Sequence, residues 1–238
     1  MILAGGVGSR LKSVTNDKAL LELKDVPCFY YSLKVFQESG LFDRIMIVYR
    51  DIVQKQRMES YLVNNIVGID IDWVQGGLRR QDSVYMGLKM LELRGPSVEY
   101  VFIHDSVRPL IRVEGLKMLY EAVSKYKAAT LVNVIVDTIK VVDGDFCGES
   151  GLAKLLDVNR SQMRVMQTPQ AFDLRLIKGA YDHVFANNLE ITDDVSAAML
   201  KRHKIVLVNN PFANPKLTHV SDIAYLEFLL SEKVAIHE

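Results

Sequence analysis

Short apolar runs alternate with longer stretches whose apolar residues recur at helical spacing. This rhythm constrains the fold more than any other feature of the 238-residue chain. Met1–Ala4, Arg44–Tyr49, Ile69–Val74, Tyr100–His104, Ala128–Val136 and Ile205–Val208 read as strands. Phe29–Ser39, Gln54–Val63, Gln81–Leu93, Gly115–Lys125, Leu174–Val184 and a stretch around Asp222–Ser231 read as helices. Strands joined through helices form a mostly parallel sheet covered on both faces. Such sheets bind ligands beyond the carboxyl ends of their strands, near a topological switch. The length suits a single domain spanning residues 1–238.

The segment from Thr138 to about Arg164 breaks the rhythm. Thr138-Ile139-Lys140-Val141-Val142, a turn at Asp143-Gly144-Asp145 and a polar stretch through Gly151 read as an extended β-arm. Such an arm packs on a second subunit or stands as a plain surface hairpin, and the sequence leaves both open.

Composition excludes several classes. Lys plus Arg and Asp plus Glu both number 29, so the formal net charge is zero and any anionic ligand must be held by a local cluster. No nucleic-acid partner is expected. Two cysteines, Cys28 and Cys147, argue against a disulfide scaffold and a cysteine-rich metal site. Neither a signal peptide nor a run of transmembrane length is legible, so no membrane partner and a cytoplasmic location are the expectations.

The first strand breaks into Gly5-Gly6-Val7-Gly8-Ser9-Arg10, with Lys18 eight positions further on. The spacing is neither the dinucleotide fingerprint nor the Lys-Ser/Thr phosphate loop. Backbone amides beside glycine can wrap phosphate oxygens while Arg10 and Lys18 supply charge; a tight turn is the plain alternative. Asp105, just past the strand Tyr100–His104, stands where a divalent cation would need an oxygen, or where a turn needs a cap. His104 reads as a core histidine, and Arg108 as a phosphate grip or an ion-pair partner. Thr192-Asp193-Asp194 reads as a possible N-cap of the helix carrying Val195 and Met199, and Lys216 as a possible loop lysine. Serine elbows, histidine pairs at ligand spacing and paired glycosidase-type carboxylates are all lacking. A binder or enzyme for phosphorylated ligands remains.

As a set these residues resemble the family of 2-C-methyl-D-erythritol 4-phosphate and ribitol-5-phosphate cytidylyltransferases. The matching runs are Leu3-Ala4-Gly5-Gly6-Val7-Gly8-Ser9-Arg10, Lys18, Gly76-Gly77, Arg80-Gln81-Asp82-Ser83-Val84, His104 through Pro109 and Asp137-Thr138-Ile139. They continue with Arg160, Gln167-Thr168-Pro169-Gln170-Ala171-Phe172, Thr192-Asp193-Asp194 and Asn214-Pro215-Lys216-Leu217-Thr218. The resemblance implies an α/β nucleotidyltransferase with a Rossmann-like, mostly parallel sheet flanked by helices, and a dimerisation arm at about 138–164. It implies transfer of CMP from CTP to a sugar-alcohol phosphate by a homodimer with Mg²⁺.

By the same resemblance, Arg10, Lys18 and Lys216 are the catalytic cations. Ala4, Gly5, Gly6, Gly8 and Ser9 cradle the triphosphate, Gly76 and Ser83 belong to the cytidine wall, and Asp105 holds the metal. Arg108, Thr138, Arg160 and Thr192 form the acceptor-phosphate pocket, in part across the dimer. The chain departs from the family pattern at Asp17, where proline is usual, and at Ala19, Arg164 and Pro215. Leu3-Ala4-Gly5-Gly6 and Val107 lean towards the ribitol-phosphate branch. The Arg80–Val84 run, Asp137-Thr138-Ile139-Lys140, Arg160-Ser161 and Thr192-Asp193-Asp194 lean towards methylerythritol phosphate, which is the expected acceptor. A sugar-1-phosphate nucleotidyltransferase and an inactive phospholigand binder are the remaining alternatives.

Overall fold

The apolar runs pair into one large sheet. In a computed structural model the chain is described over residues 1–6, 11, 14–63, 65, 70–95, 98–144 and 151–235. The elements run β1 (Ile2–Leu3), β2 (Glu22–Leu23), β3 (Val26–Pro27), α1 (Cys28–Glu38), β4 (Arg44–Tyr49), α2 (Ile52–Leu62) and β5 (Asp70–Gln75). They continue through α3 (Arg80–Leu93), β6 (Tyr100–Asp105), α4 (Val113–Tyr126), β7 (Ala128–Val134), β8 (Lys140–Asp143) and β9 (Lys154–Asp157). The chain closes with β10 (Arg164–Asp173), α5 (Leu174–Ala186), α6 (Asp194–Leu200), β11 (Val206–Asn209) and α7 (Ser221–Ala235).

The main sheet has the order β11-β7-β10-β6-β1-β4-β5. Strand β10 runs antiparallel to both of its neighbours, and every other pairing in this sheet is parallel. Successive side chains on a strand face opposite sides. Ile45 and Ile47 therefore enter the core under α1, α2 and α4, while Met46 and Val48 enter the core under α3, α5 and α6. Leu217, Leu226 and Leu230 form a third, smaller core with Leu11, Leu21 and Leu23.

From β1 the chain moves outward through β4 and β5, then crosses back to lay β6 on the other side of β1. The carboxyl ends of β1 and β6 thus flank the switch point, where loops diverge and leave a crevice.

The short strands β2 and β3 and the long strand β10 are absent from the sequence reading, whereas the arm agrees with it. Strand β10 was not anticipated: its middle, Gln167-Thr168-Pro169-Gln170, is polar and carries a proline, which normally argues against an inner strand. The structure accommodates it with a register shift between Met166 and Gln170. The buried polar groups are satisfied by hydrogen bonds, as with Asn210 Nδ2 donating to Gln167 Oε1 at 2.9 Å. The arm is a two-stranded antiparallel ribbon, β8 with β9, exposed along its whole length. Among the described residues no helix is long and apolar enough to cross a membrane.

Candidate active site

A cleft of about 270 Å³ opens at the switch point. Ala4, Gly5, Gly6, Lys18, Ser83, Asp105 and Lys216 line it together, so seven of the anticipated residues converge. Gly8, Ser9 and Arg10, like Cys147, lie outside the described residues.

The glycine turn serves space rather than backbone strain. Neither Gly5 nor Gly6 has a positive φ. Among the described residues, a Cβ on Gly5 would meet only ordinary contacts, the nearest at 3.6 Å, and one on Gly6 would meet nothing within 4 Å. The described surroundings therefore leave room for a side chain at both positions, and glycine leaves the cleft wall open.

The first turn of α3 sends consecutive side chains to different tasks. Arg80 reaches into the cleft, its Nε 3.2 Å from Asp105 Oδ1 and its NH2 2.8 Å from Asp194 Oδ2. Gln81 donates to Leu189 O and accepts from Ile191 N, fixing the loop before α6. Asp82 accepts from Arg79 N at 2.9 Å and caps its own helix. Ser83 Oγ accepts from Gly77 N at 3.1 Å, tying down the Gly76-Gly77 turn. Gly76 itself sits behind this contact, since a Cβ there would fall 2.5 Å from Ser83 Oγ.

Asp105 ends β6 with 7% of its surface exposed and is held from both sides. Lys216 Nζ lies 2.6 Å from Oδ2, opposite Arg80 on Oδ1. Burial alone would raise the carboxyl pKa; Arg80, Lys216 and Arg108 overcome it and hold the group well below the usual carboxylate range. Burial likewise opposes the charge on Arg80, and Asp194 and Asp105 more than restore it. Asp194 is fully buried and accepts a 2.5 Å hydrogen bond from Tyr181 Oη.

Lys216 is posed by its neighbours. Asn214 Nδ2 donates to Thr168 O at 2.9 Å and Leu217 N donates to Val107 O at 2.9 Å, pinning the backbone on each side. Arg108 NH1 donates to Asn214 O at 2.8 Å. The proline at 215 thus sits in a segment already fixed at both ends. His104 is wholly buried, between Ser32 and Thr168, and burial pushes its imidazole down to about 3. It is a core histidine.

Four anticipated acceptor residues stand apart from this cleft in one chain. Arg108 supports the lysine segment, and its Nε is buried without a partner among the described residues. Thr138 and Arg160 lie exposed at the stem of the ribbon, where Arg160 NH1 donates to Val136 O. Thr192 is exposed, its hydroxyl 2.9 Å from Ser196 Oγ. Conversely, Arg80 and Asp194 are central to the electrostatics and were read only as parts of motifs. The signal was present in the arginine heading the Arg80–Val84 run, but its buried partner lies 114 residues away.

A larger groove of about 790 Å³ lies near the opposite ends of the strands, lined by Tyr126, Lys127 and Asp173 among others. None of the anticipated residues among those described lines it. The chemistry-bearing groups belong to the smaller cleft.

The family model for 2-C-methyl-D-erythritol 4-phosphate cytidylyltransferase matches residues 1–232. The chain belongs to that cytidylyltransferase family. It is 32% identical over 239 residues to the 2-C-methyl-D-erythritol 4-phosphate cytidylyltransferase of Clostridium beijerinckii, covering 98% of each chain. It is 34% identical to the protein of the same name from Lachnospira eligens, over 94% of each. The crystal structure of 4-diphosphocytidyl-2C-methyl-D-erythritol synthase from Anaerococcus prevotii superimposes with a TM-score of 0.80 at 26% identity, covering 97% of this chain and 96% of that one. The switch-point cleft is accordingly the candidate active site of a cytidylyltransferase of this family.

Proposed function

We propose that the protein transfers CMP from CTP to 2-C-methyl-D-erythritol 4-phosphate, releasing pyrophosphate. One observation carries the chemistry: Arg80 and Lys216 meet on Asp105, and Lys18 lines the same cleft beside the open glycine turn. The nucleophile in this reaction is already a phosphate oxygen, so no strong general base is required. What the site must do is bring two anions together and stabilise charge as the α-phosphorus is attacked in line, a task for preorganised cations. The acceptor rests on the family model and on the names of the relatives.

In this reading Ala4, Gly5 and Gly6 flank the triphosphate, and Ser83 with the Gly76-Gly77 turn faces the cytidine. Lys18 and Lys216 neutralise phosphoryl oxygens, with Arg10 from the rest of the glycine loop. Family membership implies Mg²⁺. Among the described residues, Asp105 is the one carboxylate lining the cleft and no cluster of three metal-ligating side chains occurs. A single carboxylate suits an ion that keeps waters and arrives on the triphosphate, the usual habit of magnesium. Asp105 would hold it, and the charge it supplies would add to that of the lysines.

The chain is further proposed to work as a homodimer. The exposed ribbon carries an apolar pair on each face, Val141 with Leu156 and Val142 with Leu155, which suits it to pack against a second copy. Arg160 and Thr138 at its stem, with Thr192, would then serve an acceptor phosphate at the joined surface.

Ribitol 5-phosphate stays as the second reading on the strength of Leu3-Ala4-Gly5-Gly6. Pyrophosphate release from CTP and Mg²⁺, measured with each acceptor separately, decides. Release with methylerythritol phosphate is expected; release only with ribitol 5-phosphate reverses the acceptor, and release with neither overturns the reaction.

A further inference from the structure

Asp17 stands next to a lysine that should meet polyphosphate, where an extra negative charge is at first sight a handicap. The structure turns that charge away. Asp17 is 5% exposed, and its carboxylate faces inward. Oδ1 accepts from Ala19 N at 3.2 Å and Leu20 N at 3.4 Å; Gln54 Nε2 lies 3.0 and 2.9 Å from the two oxygens; Arg50 NH2 lies 3.2 Å from Oδ2. A buried carboxylate is tolerated only when so surrounded by donors.

The same contacts form a strap across the site. Gln54, in the first turn of α2, is 1% exposed. Its Nε2 also donates to Ala4 O at 3.0 Å, at the base of the glycine turn, and its Oε1 accepts from Arg50 N at 2.7 Å. Asp17 thereby fixes the turn before and after Lys18 to α2 and to β1. Lys18, 9% exposed, extends from that turn to the opposite wall, with Nζ 3.3 Å from Thr218 O and 3.5 Å from Leu217 O. Those carbonyls directly follow Lys216, whose Nζ reaches Asp105. A continuous line of contacts therefore runs from Ala4 through Gln54, Asp17 and Lys18 to the segment carrying Lys216.

We propose that Asp17 is a positioning residue: through Gln54 and Arg50 its carboxylate sets the aim of the Lys18 ammonium and couples the two lysine-bearing loops. Lysine is a point charge on a flexible four-carbon stem, so its value to a transition state depends on what fixes its root. Arg50 and Gln54 also absorb the carboxylate's charge, leaving the cleft side of the turn cationic. The inference rests on the cytidylyltransferase reading for its kinetic arm only.

The test compares wild type with Asp17→Asn, Arg50→Gln and the double variant. Asparagine keeps an acceptor for Ala19 N but loses the charge facing Arg50. Arg50→Gln cuts the strap from its partly exposed end and serves if Asp17→Asn does not fold. Thermal melts and circular dichroism establish folding. At saturating substrates Asp17→Asn is expected to lose about tenfold in kcat with an unchanged KM for the acceptor, and the double variant to be no worse, because both changes cut one strap. A purely structural role would lower Tm and leave kcat per folded molecule unchanged.

A second measurement needs no turnover. Limited acetylation with acetic anhydride, read by peptide mass spectrometry, should label the Lys18 amine several-fold faster in each folded variant. Wild-type labelling of Lys18 in folded variants overturns the proposal, whatever the rates do. A wild-type enzyme inactive with both acceptors overturns the assigned reaction and leaves the labelling to decide this point.

Discussion

At the scale of single residues the cleft works by opposing burial with paired charge. Asp105 and Asp194 are both buried, and Arg80 bridges them while Lys216 takes the free oxygen of Asp105. Lys216 is the replaceable member, because Asp105 keeps Arg80 without it and the segment stays pinned through Asn214 and Leu217. Lys216→Ala should therefore fold as wild type and lose about 10²-fold or more in turnover, as when an electrostatic donor is removed from a reacting centre. Pyrophosphate-release kinetics alongside circular dichroism check this; near wild-type rates would remove Lys216 from the machinery. Gly76 makes a steric argument. A Cβ there would approach Ser83 Oγ to 2.5 Å and Val48 Cγ1 to 3.2 Å, so Ser83 must leave Gly77. Gly76→Ala should cost about 1–3 kcal/mol through overpacking and raise KM for CTP; thermal melts and initial rates report both.

At the scale of elements, β10 and α6 bring distant residues to the site. Gln170 on β10 is 1% exposed; its Oε1 accepts from Val195 N at 3.0 Å and its Nε2 donates to Asp193 Oδ2 at 2.9 Å. Asp193 caps α6 by accepting from Ser196 N. Gln170 thus docks the start of α6 on the sheet and sets Asp194 opposite Arg80. Gln170→Leu should leave Val195 N buried and unpaired, at a cost of about 1–3 kcal/mol. For a chain of this length that is a Tm lower by several degrees, about 2–4 °C per kcal/mol. A smaller fall in kcat should accompany it as Arg80 loses its anchor. An unchanged melt would show that α6 docks by its apolar face alone.

The strand and helix assignments from periodicity agree with the structure for Arg44–Tyr49, residue for residue, and within a few residues for the other elements read in advance. Periodicity reports which side chains meet the core, and those elements follow that rule. Strand β10 is stabilised instead by polar groups that find partners in Asn210, Asn214 and α6, which no local pattern encodes.

At the scale of the whole molecule, the cleft in one chain gathers the glycine turn, Lys18, Ser83, Asp105 and Lys216, while Thr138, Arg160 and Thr192 lie outside it. If the ribbon carries Arg160 to a second copy, Lys216→Ala and Arg160→Ala should complement one another. Each mixed dimer would contain one site with both residues intact and one with neither. Co-expressed variants should recover activity that neither shows alone, and absence of recovery would place Arg160 in its own subunit's site. Leu155→Asp with Leu156→Asp should shift sedimentation towards monomer.

The sequence by itself determined the layered parallel architecture, because burial on both faces of a sheet leaves apolar runs that any reader can see. It also made the motif set from Gly5 to Lys216 legible as a set, since glycine, lysine, arginine and aspartate recur there in one order along the chain, while each member alone has a plain structural reading. Tertiary structure alone decided how they meet. The switch between β1 and β6 brings Lys18, Asp105 and Lys216 to one cleft. The buried Asp194 fixes Arg80, and Gln54 with Arg50 turns Asp17 from an apparent liability into a support for Lys18. Such pairings depend on distance and desolvation across long separations in the chain, and neither quantity is written in local spacing.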